Sequence, residues 1–444
     1  MKMKDMTQGN ELKLVFLFSL PLMLGNIFQQ LYIVCDTVIV SRHLGVNALA
    51  AIGCADWLNW MGLSIVTGFA QGFSIPISHA FGRRQKEEVK EAMARMFVCC
   101  FVSVILLIGI LWILIKPILV ALNTPSHVLP MSLAYTKVIT LGLLVTMFYN
   151  TFASILRALG DSKTPLYAMI IASFTNVFLD ILFVMVFEWG ITGAAQATVI
   201  AQGIAGIFCL YHVARLKEWI PHTWCKELSL YQEPIRLGLP LALQNALISV
   251  GGMVLTWSVN QFGTYFLAGF TAMNKLYGLL EISAVSYGYA MITYTGQNYG
   301  AKKYDRIASG VKKVGLLSLL TSFLLMGLLY LFGPLLISFF VDANSQGAKE
   351  TMEYGLIFLR WLTFGMPLLY ALHLYRSTIQ GLSDALIPMI SGLFELLMRI
   401  GGAFLLPIFF GKEGLYAVEV LAWIGAVIIL MPTYYYKEKK MLKS

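Results

Sequence analysis

The sequence predicts an all-α integral membrane protein with twelve transmembrane helices. They form two six-helix lobes related by a pseudo-twofold axis along the membrane normal. Three observations predict this. Of 444 residues, 58% are hydrophobic and 12% charged, whereas soluble domains average about 25% charged residues. Apolar runs long enough to cross a bilayer recur along the whole chain. The chain also repeats itself once, with an even number of runs in each half, so both halves insert the same way up.

The runs fall at 14–40, 48–78, 93–115, 129–156, 164–187, 192–214, 236–262, 267–296, 314–340, 351–377, 387–410 and 414–436. A short polar N-terminus, MKMKDMTQGNELK, precedes the first. That first run is too long for a removable signal and lacks a small-residue cleavage site. Runs near 30 residues exceed a hydrocarbon core of about 30 Å, so those helices tilt, kink or protrude. Pro21 and Pro240 lie inside the first helix of each half. Each frees a backbone carbonyl one turn earlier, which makes either a static bend or a hinge.

The repeat is clearest around the second span. HLGVNALAAIGCADW aligns with QFGTYFLAGFTAMNK, placing Gly45 over Gly263, and HAFGRRQ aligns with QNYGAKK. Near the fifth span LGDSKTP meets LSDALIP. The expected domains are an N-lobe at 1–217, a cytoplasmic linker at 218–235 and a C-lobe at 236–444. Lysine and arginine set the orientation. One side collects clusters such as Arg83, Arg84 and Lys86, Lys302 and Lys303, and Lys439 and Lys440; the other has only Arg42, Lys116, Lys349 and Lys412. Positive charge stays inside, so both termini are expected in the cytoplasm. The net charge of +9 therefore marks span ends and does not point to nucleic acid.

Two acids stand inside apolar runs, Asp36 in QQLYIVCDTVIV and Asp180 in SFTNVFLDILFV. An ionisable group at that depth costs about 2.5–3.5 kcal/mol or more, so it faces the bundle interior or a wet cavity. Tyr32 precedes Asp36 by four residues and Asn176 precedes Asp180 by four, which puts each pair on one helix face. Thr198 and Gln202 share a face of the sixth span in the same way. Such residues form a hydrogen-bonded proton site or an oxygen-rich cation site, or else polar glue between helices. The second half has Val254 or Leu255 opposite Asp36, and Ala403 opposite Asp180. Cation handling is thus expected in the first half alone. Glu395 and Arg399, four apart, are expected to neutralise each other, and Glu281 shows no evident partner in its own helix. Gln29, Gln202 and Glu281 are the candidates for a substrate cavity.

Other chemistry is poorly supported. Cys35, Cys54, Cys99, Cys100, Cys209 and Cys225 have no CxxC spacing and read as packing residues. The histidines lack metal-ligand spacing, and no P-loop, GxSxG or HExxH occurs. GRRQKEEVKEA reads as a solvated connector. Many aromatic and methionine side chains (21 Met, 28 Phe, 21 Tyr) suit an adaptable apolar cavity.

SLPLMLGNIFQQLYIVCDTVIVSRHLG, LAAIG, RALGDSKTP, NVFLDILFV, GAAQAT, NYGAKK and QGLSDALIP together resemble the multidrug and toxic compound extrusion (MATE) transporters, nearly end to end. The first-half acids resemble the DinF-like branch. That resemblance implies a cation site at Asp36, Asn176, Asp180 and Thr198, with Tyr32 beside it and Pro21 as the bending proline. The NorM-like pattern, with acids in the seventh and tenth helices, is absent. The implied function is ion-coupled efflux of amphipathic, often cationic compounds by alternating access, with H⁺ or Na⁺ as coupling ion. No cofactor and no enzymatic step are implied. The partners would be small organic substrates and lipids, for a monomer in the cell membrane. A lipid-linked oligosaccharide flippase of the same superfamily is the competing reading, and a polytopic membrane enzyme a more distant one.

Overall fold

The computed structural model describes residues 3–122, 124–220, 227–341 and 347–443. Cys225 and part of the expected linker lie outside them. Among the described residues thirteen α-helices occur: α1 Glu11–Leu44, α2 Val46–Gly82, α3 Lys86–Ala121, α4 Leu129–Ala158, α5 Lys163–Asp180, α6 Gly190–Ala214, α7 Gln232–Asn260, α8 Thr264–Leu280, α9 Ile282–Gly300, α10 Tyr304–Ser338, α11 Ala348–Gly381, α12 Leu386–Phe410 and α13 Val418–Met441. No strand occurs among the described residues.

Ten described stretches are long and apolar enough to cross a membrane. One of them, Leu386–Met441, has 56 residues, about 84 Å of helix at 1.5 Å per residue. No bilayer is that thick. It is two crossings, α12 and α13, folded back at the 3-10 turn Gly411–Ala417 and packed along each other. The eighth expected span escapes the tally because Glu281 interrupts it, leaving α8 and α9 as separate pieces of 17 and 19 residues. Every expected span thus corresponds to a helix or a broken helix. GRRQKEEVKEA is a correction, because α3 already begins at Lys86 and only a tight turn precedes it.

The repeat is written into the backbone. Gly45 (φ 80°) and Gly263 (φ 97°) occupy the left-handed region immediately before α2 and α8, where a Cβ would be strained. Arg84 (φ 61°) and Lys302 (φ 56°) take the same conformation after α2 and α9. Positive φ is uncommon in such residues, so its recurrence at aligned positions is a signature of shared descent of the two halves. Asp161 accepts the amides of Lys163 and Thr164 at 2.9 and 3.1 Å, and Asp384 those of Leu386 and Ile387 at 3.0 and 3.2 Å. These are helix-start caps on matching helices.

The chain divides into two compact units, Met1–Thr7 with Leu20–Ala246, and Gln8–Ser19 with Leu247–Ser444. These bounds differ from a simple cut at 217 and 236, and local contacts supply the reason. Glu11 sits 2.9 Å from Lys313 and 3.5 Å from Arg306, which ties the start of α1 into the second unit. In the first unit, a Cβ on Gly68 would lie 2.8 Å from the Leu241 carbonyl, so α2 and the first half of α7 touch backbone to backbone. Asn245 adds a bond to the Ser64 carbonyl at 2.7 Å. The change of unit along α1 falls between Ser19 and Leu20, one residue before Pro21.

Within the first unit α4 packs against α2, α3 and α6. Within the second, α11 packs against α8, α9, α10 and α13. Each is the fourth span of its half, and each is largely buried. Cys99, Cys100 and Cys209 belong to the first unit's core, whereas Cys35 is exposed.

Candidate functional site

In the first unit α1, α4, α5 and α6 carry polar side chains into one buried region. Asp36 of α1 is nine-tenths buried, with Tyr32 one turn before it. Asn176 and Asp180 of α5 are both 0% exposed. Directly after Asp180 the α-helix gives way to a π-helical stretch, Ile181–Val186, in which the Phe187 amide reaches back to the Leu182 carbonyl at 2.9 Å. Such widened turns recur at functional sites.

Neighbouring helices supply the neutral groups. Asn176 donates through Nδ2 to Thr198 Oγ1 at 3.4 Å, and Gln202 donates through Nε2 to the Tyr32 hydroxyl at 3.5 Å. Gln29 also bonds to that hydroxyl. The structure therefore brings together Tyr32, Asp36, Asn176, Asp180, Thr198, Gln202 and Gln29.

Most of the unmet hydrogen-bonding capacity here is of one kind. Asp36 Oδ1, both oxygens of Asp180, Asn176 Oδ1 and Gln202 Oε1 are buried without a partner. Buried polar atoms are ordinarily satisfied, and each of these five is an acceptor. The charges acting on the two carboxylates are also acidic: Asp56 acts on Asp36, and Asp36 acts on Asp180. What fits here is a donor or a cation. A proton bound by one acid would turn an acceptor into a donor, and a small metal cation would take several oxygens at once.

Two contributors were missed in the sequence. Asp56 of α2 meets the criterion that singled out Asp36, an acid inside an apolar run. Tyr135 of α4 gave no such signal, since a lone tyrosine in a span is ordinary. It is buried and within electrostatic reach of Asp36, Asp56 and Asp180. The buried, unpartnered hydroxyl of Thr136 adjoins it in sequence.

The second unit corrects two expectations. Arg399 stands 3.7 Å from Glu395, but its closer partner is Glu419 of α13 at 2.9 Å. Glu395 is bound more tightly by Arg376 of α11. Four groups on three helices replace the expected pair. Glu281 is likewise not alone in its helix, since Tyr277 bonds to it one turn earlier and Arg399 acts on it from α12. For Glu395 and Arg399 the stronger partners lie on other helices, which the sequence of one helix does not show.

Residues 21–182 and 240–405 match the MatE family model. The chain belongs to the MatE family. The two matched segments open at Pro21 and at Pro240, one for each half of the repeat. Among curated relatives, the chain is 30% identical over 373 residues to the probable multidrug resistance protein YpnP of Bacillus subtilis (strain 168), covering 83% of this chain and 82% of that one. It is 20% identical over 418 residues to the multidrug export protein MepA of Staphylococcus saprophyticus subsp. saprophyticus, covering 91% of this chain and 88% of MepA. A solved structure of MATE in complex with MaL6 superposes with a TM-score of 0.92 at 21% identity, with 100% of both chains covered. The outward-facing conformation of a multidrug resistance MATE family transporter gives 0.90 at 21% identity, with 100% of this chain and 99% of that one covered. These structures share the fold. MatE proteins are transporters and not enzymes, and this member is a multi-pass membrane protein.

Proposed function

We propose that this MatE transporter exports amphipathic, often cationic organic compounds across the cell membrane, coupled to inward movement of protons at the Asp36–Asp180 site. One observation carries the coupling assignment: five buried acceptor oxygens lack partners, and the neighbouring charges are acidic. The names of the relatives, multidrug resistance and multidrug export proteins, support the substrate class.

The chemistry follows from charge. Two carboxylates in a poorly hydrated lobe repel each other, so one bound cation relieves a large electrostatic cost. Occupancy removes repulsion between α1 and α5, and α1 bends at Pro21. The cavity then releases its drug outward, and deprotonation on the inner side resets the cycle. Exchange of this kind requires the cation to favour one conformation, since equal affinity for both shifts nothing. Gln29 and Gln202, which share the Tyr32 hydroxyl, are the proposed link between ion occupancy and drug contact. Sodium held by oxygens of Asp36, Asn176, Asp180 and Thr198 is the alternative. Protons are favoured because two acids among neutral neighbours need only protonation.

The flippase reading needs free cationic groups for a pyrophosphate. Arg376 and Arg399 are engaged by Glu395 and Glu419, which weighs against it. The working form is a monomer with both termini in the cytoplasm. Purified protein in liposomes tests the function: a pH gradient without Na⁺ should drive uptake of a fluorescent organic cation. A Na⁺ gradient as the only effective driver would replace the proton and keep the site. No uptake with either ion would reject the function.

A further inference from the structure

The function proposed above gives Asp56 no step of its own, although it is an acid inside a membrane-crossing helix, α2. Its counterpart in the second half of the repeat is Asn274. Counting from the outer helix ends at 1.5 Å per residue, Asp56 lies about 15 Å into α2 and Asp36 about 12 Å into α1, so the two stand at similar depth. The packing agrees. Val40 of α1, Ile52 and Ala55 of α2, Tyr135 of α4, Val184 after α5 and Ala194 of α6 form one buried cluster. Ser132 of α4 donates to the Ala51 carbonyl of α2 at 2.5 Å. One turn deeper on the same two helices come Ala55 and Tyr135, the level of Asp56.

Burial is graded across the three acids. Asp56 is exposed, Asp36 is 9% exposed and Asp180 is 0% exposed. An exposed acid at this depth would cost about 2.5–3.5 kcal/mol or more against lipid, so its open side faces water. Electrostatic proximity follows the same order, Asp56 to Asp36 and Asp36 to Asp180. Among the described residues no three His, Cys, Asp or Glu side chains converge closely enough to hold a metal ion. The three aspartates therefore do not form one close metal-binding group. The inner end is made for a ligand, with Asp180 offering two unpartnered oxygens and Asp36 one.

We infer that Asp56 is the wet end of a three-carboxylate path, Asp56 to Asp36 to Asp180, that draws the coupling cation from water to the buried pair. This rests on the function proposed above. The groups facing Asp36 are Asp56 from α2, Tyr135 from α4, Asp180 from α5 and Tyr32 from its own helix; α6 contributes only the neutral Thr198 and Gln202. The three groups that define the path are carboxylates, so a cation approaching from water gains attraction before it is desolvated.

The test separates affinity from rate in the full-length reconstituted transporter. Asp56→Asn should raise the coupling-ion concentration needed for half-maximal uptake three- to tenfold, and Asp56→Glu should restore it. Unchanged half-saturation in Asp56→Asn, or complete loss of uptake at saturating ion, would overturn the inference. Asp36→Asn runs alongside. If it keeps ion-driven uptake, the proposed function fails and this inference with it. If it loses uptake while Asp56→Asn behaves as wild type, only the inference fails. A second measurement needs no variant. A water-soluble carbodiimide, applied at fixed pH to the wild-type protein and mapped by mass spectrometry, should modify Asp56 faster than Asp36 or Asp180. Modification of Asp36 or Asp180 ahead of Asp56 would contradict the path.

Discussion

Replacing Asp36 or Asp180 by asparagine removes charge and leaves volume almost unchanged. Each variant should abolish drug export while abundance in the membrane stays near wild type, as read by transport and immunoblotting together. Loss of export only through loss of protein would make these residues structural glue. The second unit's ionic cluster predicts the opposite behaviour. Removing one partner of a buried ion pair leaves an uncompensated charge and costs about 3–5 kcal/mol. Arg399→Met strands Glu419, whose two carboxylate oxygens lie 2.9–3.3 Å from the guanidinium. It should lower the thermal midpoint in detergent by several degrees. An unchanged midpoint would mean that the cluster contributes nothing to stability.

At the scale of elements, α2 and α7 meet at Gly68, where a methyl group would fall 2.8 Å from a carbonyl oxygen. Gly68→Ala should therefore destabilise the first unit by about 1–3 kcal/mol, the usual range for overpacking, measurable as a lower thermal midpoint. A neutral outcome would mean that α7 slides without cost. Pro21→Ala should preserve folding and reduce export at least tenfold if α1 must bend there; full activity would make the proline a static feature. The helices themselves were legible, because long apolar runs and flanking charge report bilayer crossing directly. The paired acids on α1 and α5 were legible too, since i, i+4 spacing fixes a shared face. Three features were not. The interruption at Glu281 carries no proline, the π-helical stretch after Asp180 has no residue signature, and the assignment of Gln232–Ala246 to the first unit depends on a backbone contact far away in sequence. Asp56 was legible by the rule applied to Asp36.

For the whole molecule, the bias of positive charge predicts sidedness. Cysteine tags at Ser309 and Lys443 should resist an impermeant reagent in intact cells, and a tag at Gly347 should react. Labelling at all three would overturn the charge argument. The central claim is that a chain of MatE fold turns cation occupancy of one acidic pocket into drug movement. Proteoliposomes with an imposed pH gradient and no Na⁺ test it most directly. Wild-type protein should accumulate a fluorescent organic cation, and Asp36→Asn, equally abundant and equally folded, should not. Equal accumulation by both proteins would contradict the account.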